Sequence, residues 1–232
     1  MVFYPSEEWI TEFCRALNEC EDLEAFGFSE DILLVITDLG LDRLTVADIA
    51  PALLDDVPES VLADLEDVSL SELIAETDAE MRSSLPDPVG RLLDQSERNV
   101  VDDALYVYIG LDEGKCFGPA LVDDPDAVDY ECVFRAPATV WQSIIDGRPA
   151  AAAALSGDLE IIGNPAFLFK YVAELQLIGD VAARNVDSEF LFDRPTPSLL
   201  TTAFDESLRF PILVQKSLTR ESVLAARRLT PF

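Results

Sequence analysis

The stretch IDGRPAAAAALSGDLEIIGN, Ile145–Asn164, decides how this chain is read. Five consecutive alanines, Ala150–Ala154, stand between Gly147 and Gly157, whereas the rest of the chain draws its apolar character from Leu, Ile, Val and Phe. Pro149 suits the first turn of a helix, where the missing N–H costs nothing, and Gly157 suits the left-handed residue that ends one. A helix is therefore predicted between them, followed by a short strand at Leu159–Ile162. Alanine is the best helix former, so a solvent-side helix would account for the run. Methyl-only side chains also let a helix approach a sheet closely, or leave room for a guest. Close packing is favoured over cavity lining.

Working outward, Val140, Trp141, Ile144 and Ile145 share one face of a helix from Thr139 that Gly147 closes. Asn164 and Pro165 form a cap and first-turn pair. They start a helix through Phe167, Phe169, Val172, Leu175 and Ile178 to Gly179. Upstream, Tyr130–Arg135 alternates and is predicted to place Tyr130, Cys132 and Phe134 together. In Ala104–Gly110, Leu105, Val107 and Ile109 point one way, and Tyr106 and Tyr108 the other. Cys116–Val122 is a weaker strand. Short turns at Asp112–Gly114 and Asp123–Pro125 link these strands into an expected antiparallel meander.

Near the N-terminus Ser6 caps a predicted helix carrying Trp9, Ile10, Phe13, Cys14 and Leu17, and Asp31–Thr37 reads as a strand buried on both faces. Leu41–Asn99 changes character. It holds several helical segments, with 15 acids and 4 bases between Asp42 and Arg98. Ser69 and Glu72 form a capping-box pattern ahead of Leu70, Leu73, Ile74, Met81 and Leu85 on one stripe. After Asn185 come a Pro-Thr-Pro turn, the apolar run Phe210–Val214 and a predicted helix from Thr219.

Composition excludes several classes of function. With 45 acids against 16 bases the formal net charge is −29, yet 49% of the residues are hydrophobic, so the chain should fold rather than stay disordered. The acids are scattered, and lysine is nearly absent. This surface resembles that of proteins from salt-in halophilic archaea, where molar salt shortens the Debye length to about 3 Å and screens self-repulsion. It offers no basic face for nucleic acid. There is no histidine, which removes imidazole acid–base work, His-ligated metals and Ser-His-Asp systems. Asp123-Asp124 and similar pairs read as solvated surface, so no metal and no cofactor is expected. No apolar run reaches the roughly 18–20 residues of a membrane span, and MVFYPSEEW has no basic or apolar leader. A cytoplasmic protein is expected, its four cysteines (Cys14, Cys20, Cys116, Cys132) buried as free thiols.

The elements from Tyr130 to Arg184 resemble the sterol carrier protein 2 (SCP2) lipid-binding domain family, and the likeness begins at Tyr4-Pro-Ser-Glu-Glu-Trp9. The family's tryptophan before an I-x-G turn, followed by L-x-G-x-L-x-I-x-G, is matched by Trp141, Gly147, Leu155, Gly157, Leu159, Ile161 and Gly163. The resemblance implies an α+β, SCP2-like fold, a mostly antiparallel five-stranded sheet layered with helices, with no catalytic residues. It implies an apolar tunnel for a fatty acyl, isoprenoid or sterol-like molecule. In a halophilic archaeon isoprenoid lipids are better candidates than sterols. Residues 1–40 and 101–185 would form this domain, 41–100 an acidic helical insert and 186–232 a C-terminal extension. The candidate wall of the tunnel comprises Leu105, Val107, Ile109 and Phe134 from strands. Trp141, Ile144, Ile145, Leu155, Leu159 and Ile161 follow from the motif region, and Phe167, Phe169 and Leu175 from the helix that Asn164 and Pro165 start.

An empty apolar void costs roughly 24 cal/mol per Å³. Even a small ligand pocket of about 300 Å³ would thus cost about 7 kcal/mol, comparable with a domain's stability. The tunnel should therefore be occupied, plugged by the insert or tail, or collapsed. The leading reading is a non-enzymatic lipid binder. The alternative is an interaction module whose cavity its own insert and tail fill. Arg209–Phe232 carries five bases and one acid. This tail is expected to dock on the acidic insert, of its own or a neighbouring chain, which allows a homodimer and leaves membrane contact at most transient.

Overall fold

Every residue from Ile32 to Ile36 is Ile, Leu or Val, so this segment has no polar face, and it becomes the centre of the sheet. The computed structural model describes residues 2–49, 51–54, 57–77, 82, 87–163 and 166–190, with Asp205, Leu208, Val214 and Leu218. The chain opens with β1 (Val2–Tyr4), α1 (Glu7–Asn18), α2 (Glu21–Phe26) and β2 (Ile32–Thr37). Among the described residues four helices follow: α3 (Pro51–Leu54), α4 (Glu59–Leu65), α5 (Leu70–Glu76) and α6 (Asp87–Asn99). Then come β3 (Val100–Val101), β4 (Ala104–Asp112), β5 (Lys115–Val122) and β6 (Cys132–Pro137). After them come α7 (Ala138–Ile145), α8 (Ala150–Ser156), β7 (Glu160–Ile162), α9 (Ala166–Asn185) and β8 (Ser188–Phe190).

The architecture is α+β, a sheet layered with helices. The sheet has six strands rather than five, in the order β3-β4-β2-β6-β7, with β5 also on β4. The expected meander is only half formed. β5 turns back on β4, but β6 lies parallel to β2 and does not pair with β5. A strand apolar on both faces needs a neighbour on each side and a layer above and below, and β2 takes that central place. Its inward residues Ile32, Leu34 and Ile36 join Leu105, Val107, Ile109, Cys132 and Phe134 under α1, α7, α8 and α9. On the outer face Leu33, Val35 and Val133 are covered by Tyr106, Tyr108 and Tyr130. Tyr130 is thus opposite Cys132 and Phe134, not beside them, because β6 begins only at Cys132.

Ser6 caps α1 as its sequence predicts, accepting from the Trp9 N–H at 3.1 Å. The Ser69 hydroxyl likewise accepts from the Glu72 N–H at 3.2 Å. α5 stops at Glu76, and Met81 and Leu85 lie outside the described residues, as do the Asn164-Pro165 cap, the Pro-Thr-Pro turn, most of Phe210–Val214 and the helix from Thr219. The acidic region has an apolar cluster of its own, Val46, Ile49, Val57, Leu70, Leu73, Val89 and Leu93. Gln95 of α6 ties it to the start of α1. Its Nε2 donates to the Pro5 carbonyl at 2.7 Å and its Oε1 accepts from the Glu7 N–H at 3.2 Å. No helix among the described residues is long and apolar enough to cross a membrane.

The cysteines correct the expectation of four free thiols. Cys14 of α1 and Cys116 of β5 form a disulfide, with Cα atoms 5.4 Å apart, while Cys20 and Cys132 remain free. The two partners are 102 residues apart in sequence and meet because α1 lies across β5. Asn18 reinforces that crossing, donating to the Cys116 carbonyl at 2.9 Å and accepting its N–H at 2.8 Å. Burial pushes the Cys132 thiol up to about 12, with the Glu30 charge adding to it. Closing a loop of this length restricts the unfolded chain by about 4–5 kcal/mol. Dithiothreitol is expected to lower the urea midpoint by a corresponding amount, and a Cys14→Ser/Cys116→Ser variant should show no further response to the reductant.

Candidate functional site

The inward face of the sheet and the helices beneath it meet along a seam without charged side chains. β2 contributes Leu34 and Ile36, β4 Val107, and β6 Phe134. α1 contributes Trp9, Ile10 and Phe13, and α7 Trp141, Ile144 and Ile145. Ala150 of α8, Leu175, Ile178, Gly179 and Ala182 of α9, and the segment Tyr4-Pro5 complete the wall. They surround a cavity of about 30 Å³. Ligand pockets start at ~300 Å³, so the seam is closed, with room for little more than water-sized contents.

Of the residues proposed for the wall from sequence, Val107, Phe134, Trp141, Ile144, Ile145 and Leu175 lie together around this cavity. Leu105, Ile109 and Leu159 are buried in the same core without reaching it, and Ile161 packs at the core's margin. Leu155 does not contribute. It sits at the end of α8, 50% exposed. The side chains of Phe167 and Phe169 are outside the described residues. The sequence reading missed Leu34 and Ile36 of β2, Ile178 and Ala182 of α9, and above all the N-terminal share: Tyr4, Trp9, Ile10 and Phe13. The spacing of Trp9, Ile10 and Phe13 marked an apolar helix face, but not which space it would close.

The alanine helix has almost no solvent side. Ala150 to Ala153 are between 0 and 2% exposed. Ala153 packs in the main core, while Ala151 and Ala152 pack against Val172 and Leu208. Gly179, expected to end the helix that Asn164 and Pro165 start, lies in its interior, since α9 runs on to Asn185. A Cβ at Gly179 would sit 2.8 Å from the Ala150 Cβ and 3.5 Å from Ile144 Cγ2. The glycine is there for close helix approach. Arg148, its side chain 8% exposed, pins the turn before α8. It donates to Asp158 at 2.6 Å and Ser156 at 3.2 Å, and its Nε lies 2.8 Å from Asp205. The hydrogen bond from Arg148 is the main reason the Asp158 carboxyl titrates below its ordinary range.

Three side chains of the wall carry polar atoms, none of which faces the cavity. The Trp9 Nε1 donates to the Ser188 hydroxyl at 2.7 Å, and the Trp141 Nε1 to the Val35 carbonyl at 3.1 Å. The third, the Tyr4 hydroxyl, is buried and has no hydrogen-bond partner among the described residues. Burial holds its pKa well above the ordinary tyrosine value, so the phenol stays neutral. A second, open groove of about 530 Å³ runs between α1 and α6. Its charges are matched across it, Arg91 with Glu8 at 2.6 Å and Arg98 with Glu7 at 4.0 Å, so it is the seam by which the acidic region is held.

No family model and no curated protein matches the chain. Two solved structures are similar to it. One is a crystal structure of sterol carrier protein 2, at 18% identity over 77% of this chain and 96% of that one, with a TM-score of 0.44. The other is the solution structure of a conserved hypothetical protein from Thermus thermophilus, a candidate sterol carrier protein. It is 19% identical over 85% of this chain and 93% of that one, with a TM-score of 0.45.

A methyl group at position 179 sets two effects against each other. Helix propensity gains about 1 kcal/mol, and overpacking against Ala150 costs about 1–3 kcal/mol. Gly179→Ala is expected to lower the urea midpoint, and Ala150→Gly added to it should recover part of the loss.

Proposed function

We propose that this chain is a non-enzymatic, SCP2-like binder of an apolar lipid, an isoprenoid or fatty acyl molecule, which enters by parting the seam between sheet and helices. The observation that carries this reading is the wall itself: a sheet face and four helices converge on a space whose lining surface is wholly apolar. A ligand-binding seam that is empty should be closed, since an open void of even 300 Å³ would cost about 7 kcal/mol. Burying ten methylenes of a lipid contributes about 8 kcal/mol, enough to offset a rearrangement of that size. The motif matched by Trp141, Gly147, Gly157 and Gly163 supports the same reading. A cytoplasmic location and a high-salt working medium, suggested by the dispersed acids, are proposed with it.

A second reading follows from the cavity volume. At about 30 Å³ the seam equally suits an interaction module that holds no ligand. None of the described wall residues comes from 41–100 or from beyond Ala182, so such a module would be closed by its own sheet and helices rather than by the insert or tail. Both tryptophans of the chain stand in the wall, at 3% and 9% exposure, and report directly on it. Purification in molar KCl, organic extraction and mass spectrometry should recover a near-stoichiometric lipid, and re-adding it to stripped protein should shift tryptophan emission. No extracted lipid, and emission indifferent to long-chain alcohols and isoprenoids, would establish the interaction module instead.

A further inference from the structure

The Cys14–Cys116 bond bears on how the seam opens, and this inference rests on the lipid-binding reading above. α1 supplies Trp9, Ile10 and Phe13 to the wall. Cys14 follows directly on Phe13 and ties that stretch of helix to β5. The two Cα atoms stand 5.4 Å apart. Disulfide geometry holds such a pair within about 6.8 Å, so α1 can draw back from β5 there by only about 1.4 Å. Admitting one hydrocarbon chain needs the surfaces to part by roughly one carbon–carbon contact, about 3.5–4 Å. With the bond intact, the α1 side of the seam stays shut. Among the described residues, the polar ties between α1 and β5 that survive its loss are hydrogen bonds, which water can replace. Asn18 bonds the Cys116 backbone twice, and the Lys115 Nζ donates to the Asn18 carbonyl at 3.2 Å. The other end of α1 is pinned independently, by Trp9 on Ser188 and by Gln95 on Pro5 and Glu7.

We propose that the Cys14–Cys116 bond is a redox latch on the seam. Closed, it keeps α1 against β5 and traps what the seam holds. Reduced, it lets α1 swing from its pinned N-terminal end, so that a lipid enters or leaves. The step is a thiol–disulfide exchange with a dithiol. The dithiol supplies two electrons and two protons, the Sγ–Sγ bond breaks, both cysteines become thiols, and the dithiol closes to its own disulfide. The reverse exchange, with a disulfide as acceptor, closes the latch. In the cytoplasmic location proposed above, thiol buffers keep cysteines reduced, and a disulfide found there is as a rule transient or redox-sensing. Its position suits exchange, because β5 is an outer strand, paired with β4 alone among the described residues.

The test follows uptake of 1-octanol into lipid-stripped protein in molar KCl by tryptophan emission, with and without dithiothreitol. Alkylation in denaturant and mass spectrometry verify that the latch is closed in one sample and reduced in the other. Reduction should speed uptake about tenfold, as for removal of a gating restraint, with the near-UV circular dichroism unchanged. Cys14→Ser/Cys116→Ser should take up octanol at the fast rate whether or not dithiothreitol is present. Equal rates in the two forms would overturn the latch and leave lipid binding in place. So would a bond that dithiothreitol cannot reduce in the folded protein, or a reduced chain that loses its near-UV signal. Emission indifferent to octanol in both forms, with acrylamide quenching of Trp9 and Trp141 that rises on reduction, would remove the lipid and keep the latch. Indifference to octanol together with equal quenching would overturn both.

Discussion

Ala150 and Gly179 approach so closely that the two helices bearing them share room for one methyl group and no more. The seam depends on that contact. Glycine inside a helix sacrifices about 1 kcal/mol of helix propensity. Here it lets α9 settle against α8 and α7, bringing Leu175, Ile178 and Ala182 up to the sheet face. Larger residues at either position would prop the helices apart and leave unfilled apolar volume. The same economy of size continues along α8, where Ala151 and Ala152 pack against Val172 of α9 and against Leu208. The alanines therefore keep α8 at minimum thickness against α9.

The N-terminus completes what these helices begin. Tyr4 and Trp9 enter the wall because β1 is paired with β8, whose Ser188 accepts the Trp9 indole N–H. The Cys14–Cys116 bond fixes α1 across β5 from the other end. Segments far apart in the sequence thus hold one side of the cavity. The β8 segment lines no part of the cavity but holds Tyr4 and Trp9 in place.

Charge is kept away from this interior. The chain bears a net −29, yet no carboxylate or cation lines the cavity. Of the described cations, Arg148 and Arg82 are the notable buried ones, Arg148 between Asp158 and Asp205, and Arg82 between Asp94 and Glu97. Other pairs, such as Arg91–Glu8 and Lys115–Glu24, are exposed, and exposed pairs contribute little. Stability rests on the apolar layers and the disulfide, against a self-repulsion that salt screens.

Local rules sufficed for much of this. The cap at Ser6, the doubly buried strand at Ile32–Ile36, the opposite faces of Leu105 and Tyr106, and the Pro149–Gly157 helix were legible because backbone preference and apolar period act within a few residues. Part of the wall was legible too, from Val107 to Leu175, as apolar stripes facing inward. The order of strands was not, since whether β6 pairs with β5 or with β2 depends on burying both faces of a strand a hundred residues away. Nor was the disulfide, whose partners share no local signal, or the interior role of Gly179, which looks like a helix end until Ala150 is brought against it. Composition and period along the chain settled which residues would seek an interior. Which of them meet there was left to the packed molecule, because close approach is a property of neighbours in space.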